Sequence, residues 1–440
     1  MHSAADRQDT RGRAGDALSA ALWALFASAM LVESDIYRYV ALAFAIFALV
    51  RHGREVRQVS RDWLALACYA WAAYALLRFG FGIVLSGQKG TSEWLYAFPT
   101  LFPLVGVALY TTRRSVFAAG AVLLACGIAG LLATLDFHAV FAGERAAPLF
   151  HHNPIHAGVG GSMLFLTAVF WLLHAAETGR LAGRLKWPCL ALGLSTAVLS
   201  LVGVLGAQSK GAWLALATTM GFMGLLSLYH LAGRWRLHLL GGLVVLAIAV
   251  AAIAAPYVVK VAGSTADAAG TMLERAFAAK DPLGAIQATI GDETVPSAMR
   301  ERLMLWSNAL ELIQKSPFVG WGNAWLDEWK RTAYADVGYT LLHNGYLEIL
   351  VRHGLVGLAF LLIFAVSAAR RVNAARREGR IGSSAAAYLF SMSFFFFATI
   401  TTNSNNRLAL GESFFLLAGG AVFAIALLRR ETPPATHTGR

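Results

Sequence analysis

The stretch LLHNGYLEILVRHGLVG, residues 341–357, changes character along its length. It begins with polar and ionisable residues, among them His343, Asn344 and Glu348, and it passes into an apolar run that continues to residue 369. A helix needs about 20 mostly apolar residues to cross a bilayer. The stretch therefore predicts a membrane helix that begins among ionisable groups, which are costly in lipid and indicate function.

The rest of the chain repeats this apolar pattern. Of its 440 residues, 57% are hydrophobic and only 14% are charged, whereas soluble domains average about 25% charged residues. Twelve apolar runs are candidate spans: 17–33, 37–50, 63–85, 95–112, 115–134, 156–175, 187–206, 211–232, 237–257, 343–369, 384–402 and 409–428. The sequence therefore predicts an all-α polytopic membrane protein with about twelve transmembrane helices.

These runs divide the chain into four parts. Residues 1–257 hold the first nine helices, 258–342 form one large loop, 343–430 hold the last three helices, and 431–440 form a tail. The loop contains MRERLMLWSNALELIQKSP (299–317), whose apolar residues recur at helical spacing. Pro317 and the following VGWGN predict the end of that helix.

The positive charges indicate the orientation in the membrane. The net charge is +12, and 22 of the 37 Lys and Arg residues lie on the two termini and on alternate connections between the runs. Short cytoplasmic connections are enriched in Lys and Arg. Both termini are therefore predicted to be cytoplasmic, with the 258–342 loop on the opposite side. Topology and anionic membrane lipid account for the charge, so we expect no nucleic-acid partner.

The three cysteines, Cys68, Cys126 and Cys189, lie inside apolar runs, and no C-x-x-C motif occurs. Free cysteine behaves as a small buried hydrophobe, so we expect all three to be packing residues.

Polar residues collect on the side of the large loop. They are Arg78 in the third run, Lys210 between the seventh and eighth, Arg300 and Arg302 in the predicted loop helix, His343, Asn344 and Tyr346 at the start of the tenth, and Arg407 before the twelfth. Each cation alone is compatible with a side chain that reaches the lipid headgroups. Their concentration on one side favours a functional site.

The residues of the segment 343–357 fall on distinct faces if the segment is helical. In an ideal helix Asn344, Glu348 and Arg352 share one stripe, which predicts an ion pair between Glu348 and Arg352. His343 falls on the neighbouring stripe with Gly354, a residue that permits close approach of another helix. The helix is therefore expected to aim the histidine.

The histidine cluster HHNPIH (151–156) raises the question of a metal site. Histidine is a common zinc ligand, but no carboxylate or thiol stands at ligand spacing beside the cluster. The chain also has no D-x-D motif and no glycine-rich nucleotide loop. We therefore expect neither a metal nor a cofactor.

The chemistry that suits these residues is transfer from a phosphate leaving group. Arginine binds phosphate through two parallel hydrogen bonds, and lysine acts as a point charge. A neutral histidine can take a proton from a hydroxyl group. Because ATP is absent outside a bacterial inner membrane, the donor must arrive activated, as a lipid-linked pyrophosphate sugar does. Cations can stabilise its leaving group without a metal.

Four segments in order resemble the O-antigen ligase family, which belongs to a wider group with O-antigen polymerases and protein O-oligosaccharyltransferases. They are HNPIHAG (152–158), QSKGAWLAL (208–216), RLMLW followed by Pro and GWG (302–322), and HNGYLEILVRHGLVGL (343–358). The resemblance covers roughly residues 150–360 and differs from the usual pattern at Lys210, where the family more often has arginine.

The resemblance implies a metal-independent, inverting glycosyltransferase of the inner membrane whose active site faces the periplasm. It implies transfer of O-antigen from undecaprenyl pyrophosphate to a sugar hydroxyl of lipid A–core. His343 would then be the general base, and Arg302 and Lys210 would bind the pyrophosphate. Five further residues are expected in the pocket: Arg78, Arg300, Asn344, Tyr346 and Arg407.

Three alternatives remain open. An O-antigen polymerase uses the same donor but tends to have two sizeable outer loops, and a protein O-oligosaccharyltransferase usually has a longer C-terminal part. A transporter or flippase for lipid-linked sugars would place ionisable residues near the bilayer midplane and show repeat symmetry. The single large loop and the charges at its rim favour the ligase.

Overall fold

A computed structural model describes residues 4–90, 93–230 and 235–431. These residues form helices joined by turns, and their only β-pairing is an isolated bridge between Val32 and Phe150. The helices are α1 Ala4–Ala27, α2 Ile36–Arg51, α3 Gly53–Ser60, α4 Trp63–Ser86, α5 Phe102–Thr111, α6 Val116–Thr134, α7 Phe137–Phe141, α8 Pro154–Glu177, α9 Lys186–Ala207, α10 Lys210–His230, α11 Trp235–Ala279, α12 Pro282–Gly291, α13 Ser297–Lys315, α14 Trp325–Trp329, α15 Gly345–Arg377, α16 Ser383–Thr399 and α17 Ala409–Arg430.

Seven of the described helical segments are long and apolar enough to cross a membrane, which confirms the predicted all-α polytopic membrane protein. They are Trp63–Leu85, Glu93–Thr111, Arg113–Thr134, Pro154–Glu177, Lys186–Ala207, Gly345–Arg377 and Ala409–Arg430. α2 and α3, bent by 105°, make an eighth if they count as one span, and Ala14–Met30 and Ser383–Thr399 are shorter apolar helices. Residues 231–232 of the predicted eighth run lie outside the described residues. The count of twelve stays a prediction.

The region 258–342 is mostly helical. α11 continues without a break past residue 257 to Ala279, and α12 and α13 follow it. The predicted loop helix is confirmed as α13, which buries Leu305, Ala309 and Leu312 against Trp325 of α14. This packing follows from the helical spacing of its apolar side chains.

α15 is kinked at Gly354, whose φ of 60° and ψ of −155° are not helical. The segment 317–321 fills the break. Leu355 N donates to the carbonyl of Pro317 at 2.8 Å, and Trp321 N donates to the carbonyl of Val351, also at 2.8 Å. The expectation that Gly354 admits a second helix is therefore wrong, because a loop backbone approaches it instead.

We expect Gly354→Ala to destabilise the protein by more than about 1–3 kcal/mol, since its backbone conformation is essentially restricted to glycine. The new methyl group would also collide with the carbonyl of Phe318. Thermal unfolding of the purified protein in detergent measures this effect. Gly80→Ala is the matched control, because a methyl group at this helical glycine meets open space. Equal midpoints of thermal unfolding for Gly354→Ala and Gly80→Ala would show that the kink at Gly354 is not required for stability.

One end of the helix bundle collects the starts of α8, α10 and α15, and we call it the site end. Gly158 of α8 lies against Ser209 at the start of α10, where an added methyl group would be 3.0 Å from the Ser209 Cβ. Gly345 at the start of α15 lies against Asn406. Gly211 at the start of α10 lies against Thr402, so the loop 401–407 contacts the starts of α10 and α15.

The cysteines are only partly as expected. Cys68 and Cys189 are buried, but Cys126 is exposed on α6. The prediction is wrong for Cys126, because an apolar run does not reveal which of its faces contacts other helices and which faces lipid.

Candidate active site at the site end

His343 lies in a turn directly before α15. Its φ of 50° is in the left-handed region, which costs about 1–3 kcal/mol for a residue other than glycine. Asn344 caps the helix, and its side chain accepts from Tyr346 N at 3.0 Å and from Leu347 N at 3.2 Å. The expectation that the helix itself carries the histidine is therefore wrong. The strained turn aims it.

The backbone before His343 is held from two sides. The indole Nε1 of Trp306 donates to the carbonyl of Leu342 at 2.9 Å, and Leu342 N donates to Oε1 of Glu348 at 3.1 Å. Trp306 belongs to α13 and Glu348 to α15. The loop helix and the membrane helix therefore position the histidine together.

A buried ionic network supports this turn. Glu348 and Arg352 form the predicted pair in close contact, and Arg352 Nε also donates to Oε1 of Glu93 at 3.2 Å. The guanidinium of Arg352 lies over the ring of Trp325, 4.2 Å from its centroid. Buried charges are tolerated when they are paired and hydrogen-bonded. The network explains how α15 can begin with charged residues.

Arg302 lies near both His343 and Lys210. Burial lowers the pKa of His343, and the charge of Arg302 lowers it further. Burial and Arg302 likewise lower the pKa of Lys210, whose Nζ donates to Thr265 Oγ1 at 2.7 Å. Arg302 is therefore close to both residues. The pKa shift of His343 keeps its imidazole neutral near pH 7, the form that accepts a proton.

Arg302 and Lys210 have no acidic partner in the part of the chain that the structure describes. Among the described carboxylates, none forms an ion pair with Arg302 or Lys210. Three helices also start here, α8 after its cap Asn153, α10 at Lys210 and α15 after its cap Asn344. Helix N-termini carry partial positive charge and favour anions. The site end is thus suited to bind an anion.

A carboxylate–histidine pair was missed at this end. Oε1 of Glu33 lies 3.3 Å from Nδ1 of His156, and His156 is close enough to His343 to contribute to lowering its pKa. The bridge between Val32 and Phe150 brings Glu33 to α8. Sequence spacing showed no carboxylate near the histidines, because the contact joins distant segments.

The histidine cluster itself is dispersed. His151 is buried, with Nε2 3.2 Å from the carbonyl of Met30, whereas the His152 side chain is almost fully exposed. Within the described part of the chain, no group of three or more His, Cys, Asp or Glu residues is arranged to hold a metal ion.

Two of the further pocket residues contact protein groups. Arg78 donates to the carbonyl of Gly320 at 2.6 Å and to the hydroxyl of Tyr74 at 2.7 Å, so it anchors the turn that fills the α15 kink. Tyr346 donates its hydroxyl to the carbonyl of Phe397 at 3.1 Å and packs against α16.

Arg300 and Arg407 differ in their surroundings. The Nε atom of Arg300 is buried and has no hydrogen-bond partner among the described residues. Arg407 lies 3.9 Å from Oε2 of Glu348 and 6.0 Å from the ring centroid of Tyr96. It therefore extends the ionic network that lies behind His343.

The fold and the site define an all-helical membrane protein with a cationic site and a neutral histidine at one end. A family model described as O-antigen ligase matches residues 195–362. The chain therefore carries an O-antigen ligase family domain, and the resemblance is confirmed over this region. The family places it among membrane glycosyltransferases of the ligase and polymerase type.

The matched range contains Lys210, Arg302 and His343, but Arg78, Arg407 and the histidine cluster lie outside it. No curated protein gives a significant match to the sequence.

Proposed function

We propose that this protein is an O-antigen ligase that transfers O-antigen from undecaprenyl pyrophosphate to a sugar hydroxyl of lipid A–core. The observation that carries the proposal is the position of Arg302, which is near enough to His343 and to Lys210 to lower the pKa of both. Neither Arg302 nor Lys210 has a carboxylate partner among the described residues. The neutral imidazole of His343 suits a hydroxyl nucleophile, and the two cations suit a pyrophosphate leaving group.

The proposed reaction is a single displacement. His343 takes the proton of the acceptor hydroxyl as its oxygen bonds to the anomeric carbon. The bond between that carbon and the pyrophosphate oxygen breaks, and its electron pair leaves with the undecaprenyl pyrophosphate. Arg302 and Lys210 stabilise the charge that develops on this oxygen. Attack from the face opposite the leaving group inverts the anomeric centre, and the proton passes from His343 to water.

An apolar cavity supports a lipid-linked donor. It has a volume of about 200 Å³ and lies between α15, α16, α17 and the segment Glu93–Leu101. Phenylalanine is the commonest residue in its walls, and its lining also includes Asn406, Arg407 and Glu412. Because Asn406 lies against Gly345, a lipid chain in this cavity would place its headgroup near the start of α15 and hence near His343.

We further propose that both termini are cytoplasmic and that the site faces the periplasm of a bacterial inner membrane. The distribution of basic residues supports this orientation. A cysteine at the exposed position Ala333 should react with an impermeant thiol reagent in intact spheroplasts. A cysteine at the exposed Arg114 is the opposite-face control and should react only after lysis. Protection of position 333 and labelling of position 114 would reverse the topology.

We expect transfer to continue in the presence of EDTA, because the cations take the place of a metal at the leaving group. The assay uses the purified protein with lipid-linked O-antigen and lipid A–core. Equal initial rates with and without EDTA are the expected result. A rate that falls in EDTA and returns with magnesium or manganese would contradict the metal-free mechanism.

The same assay tests the proposed function against its alternatives. A ligase forms a product only when lipid A–core is present. A polymerase lengthens the lipid-linked glycan without lipid A–core, and a protein O-oligosaccharyltransferase modifies a pilin. A transporter moves the intact lipid-linked sugar between the leaflets of a vesicle and breaks no glycosidic bond. Absence of a lipid A–core product, with one of these other activities present, would replace the proposal.

A further inference from the structure

The loop 317–321, which fills the kink of α15, exposes two apolar side chains. Phe318 is 68% exposed and Val319 is 46% exposed. Single exposed apolar residues are common on the surfaces of soluble proteins, so exposure alone does not identify a contact surface. The position of the loop along the membrane helices decides what covers these side chains.

Helix α4 gives the level of the loop relative to the membrane. The guanidinium of Arg78 donates to the carbonyls of Val319 and Gly320, and Arg78 belongs to the candidate span Trp63–Leu85. Leu85 is exposed, so the apolar surface of this span continues to its end. Arg78 precedes Leu85 by seven residues. The loop therefore lies about 10 Å inside the end of the span, at 1.5 Å per residue.

The exposed residues of the two helices that contact the loop are apolar at this level. On α4, Leu77 and Phe81 are exposed. Among the described residues of α15, exposure begins directly after the kink, at Leu355 and Val356. The exposed side chains of the loop therefore continue the apolar outer surface of two membrane-spanning helices.

The backbone of the loop is prepared for an environment without water. The carbonyl groups of residues 317–320 all accept hydrogen bonds from protein groups. The first two accept from the amides of Leu355 and Val356, at 2.8 and 3.0 Å, and the next two accept from Arg78. Non-helical backbone at membrane depth is tolerated only where its polar groups are satisfied within the protein. The loop meets this condition at each of these carbonyls.

The loop is also connected to the candidate active site. The indole of Trp321 donates to the carbonyl of Leu312 in α13 at 2.8 Å. Trp306 of the same helix donates to the carbonyl directly before His343. A contact between the loop and lipid would therefore hold α13, and with it the histidine, at a fixed height relative to the membrane.

We propose that Phe318 and Val319 insert between lipid acyl chains, in the leaflet on the side of the site end, and that the loop 317–321 thereby anchors α13 in the membrane. The partner is the hydrocarbon part of the lipid and not its headgroup, because both exposed side chains are apolar. This interaction does not depend on the reaction that the site performs, so it stands or falls separately from the proposed function.

The first test identifies what lies against the loop. Phe318 is replaced by its photoreactive analogue p-benzoylphenylalanine, and the full chain is reconstituted in phospholipid nanodiscs, irradiated and analysed by mass spectrometry. We expect a phospholipid adduct at position 318, as at the exposed span residue Leu77. We expect no adduct when the analogue replaces Ala333, which is exposed in the segment after α14. An adduct at position 77 without one at position 318 would overturn the proposal.

A charged variant tests the same contact by a second measurement. Phe318→Asp places a carboxylate among acyl chains and should favour withdrawal of the loop from α15. We expect hydrogen–deuterium exchange of the amides of Leu355 and Val356, which donate to the loop, to become faster by up to about 10²-fold in nanodiscs. Ala333→Asp is the matched control and should leave this exchange unchanged.

The size of the change separates a lipid contact from a water-exposed loop. A substitution on a solvated surface usually changes such an opening equilibrium by no more than about twofold. Exchange within this range in Phe318→Asp would show that Phe318 lies in water and would contradict the anchor. If Phe318→Asp fails to fold, the photoreactive analogue still decides, because it keeps an aromatic side chain at position 318.

Discussion

His343→Ala is expected to lower the rate of glycan transfer by about 10²–10⁴-fold, the usual contribution of a positioned general base. Folding and donor binding should be retained, because the supporting contacts are made by Leu342 and Asn344 and not by the imidazole. The measurement is single-turnover transfer by the purified variant, with donor affinity determined separately. Alanine at position 343 keeps the same left-handed backbone strain, so we expect little change in the free energy of unfolding.

A matched control uses another histidine. His138 is exposed on the short helix α7, and His138→Ala should transfer at the wild-type rate. If His343→Ala also ligates at nearly the wild-type rate, the histidine only terminates the loop before α15, and the proposed mechanism is wrong.

Arg302→Ala should reduce kcat/KM by about 10²–10³-fold, the effect of removing one charge-stabilising donor. Unlike His343→Ala, it should also weaken donor binding, because the proposed contact of the guanidinium with the pyrophosphate is made in both the bound and reacting states. Arg302→Lys should recover little if the contact uses two parallel hydrogen bonds. The measurements are donor affinity and steady-state rates of each variant.

The pH dependence provides a second readout for the same residue. The base must be deprotonated, so transfer is present above the pKa of His343 and is lost as the pH falls through it. Burial and Arg302 hold this pKa below its ordinary value of 6.5. Arg302→Ala removes one cause and should move the acid limb of the pH–rate profile to higher pH. An unmoved acid limb would show that Arg302 does not act on the histidine.

Lys315→Ala is the control for Arg302. Lys315 lies at the other end of α13 and pairs with Glu311 on the exposed surface, so its loss should change neither donor affinity nor the pH profile. Equal effects of Arg302→Ala and Lys315→Ala would indicate a general charge effect of the loop helix and not a specific pyrophosphate contact.

Local features of the sequence were sufficient for the class of fold. A run of about 20 apolar residues must satisfy its own backbone hydrogen bonds in lipid, so it predicts a helix whatever surrounds it. The amphipathic spacing of α13 and the pairing of Glu348 with Arg352 also depend on residues three or four positions apart. Both are therefore confirmed in the structure.

The sequence could predict which residues collect near the candidate site, and their membership of the site stays a prediction. The sequence predicted that Lys210, Arg302 and His343 lie on one side of the membrane, and in the structure Arg302 is near enough to the other two to lower the pKa of each. Their roles stay predictions. The sequence also named Arg78, but it did not predict that this guanidinium anchors the carbonyl of Gly320.

Composition and helical periodicity by themselves determined that this chain forms membrane-spanning helices with a cationic end, because both act over a single turn or a single run. Only the tertiary structure decided how that end is built. The left-handed turn at His343 requires anchors from α13 and α15, and the break at Gly354 requires the loop 317–321 to supply hydrogen-bond partners. Glu33 reaches His156 only through the pairing of two distant loops. Such contacts depend on which segments meet in space, and a single amino-acid sequence does not show which distant segments are in contact.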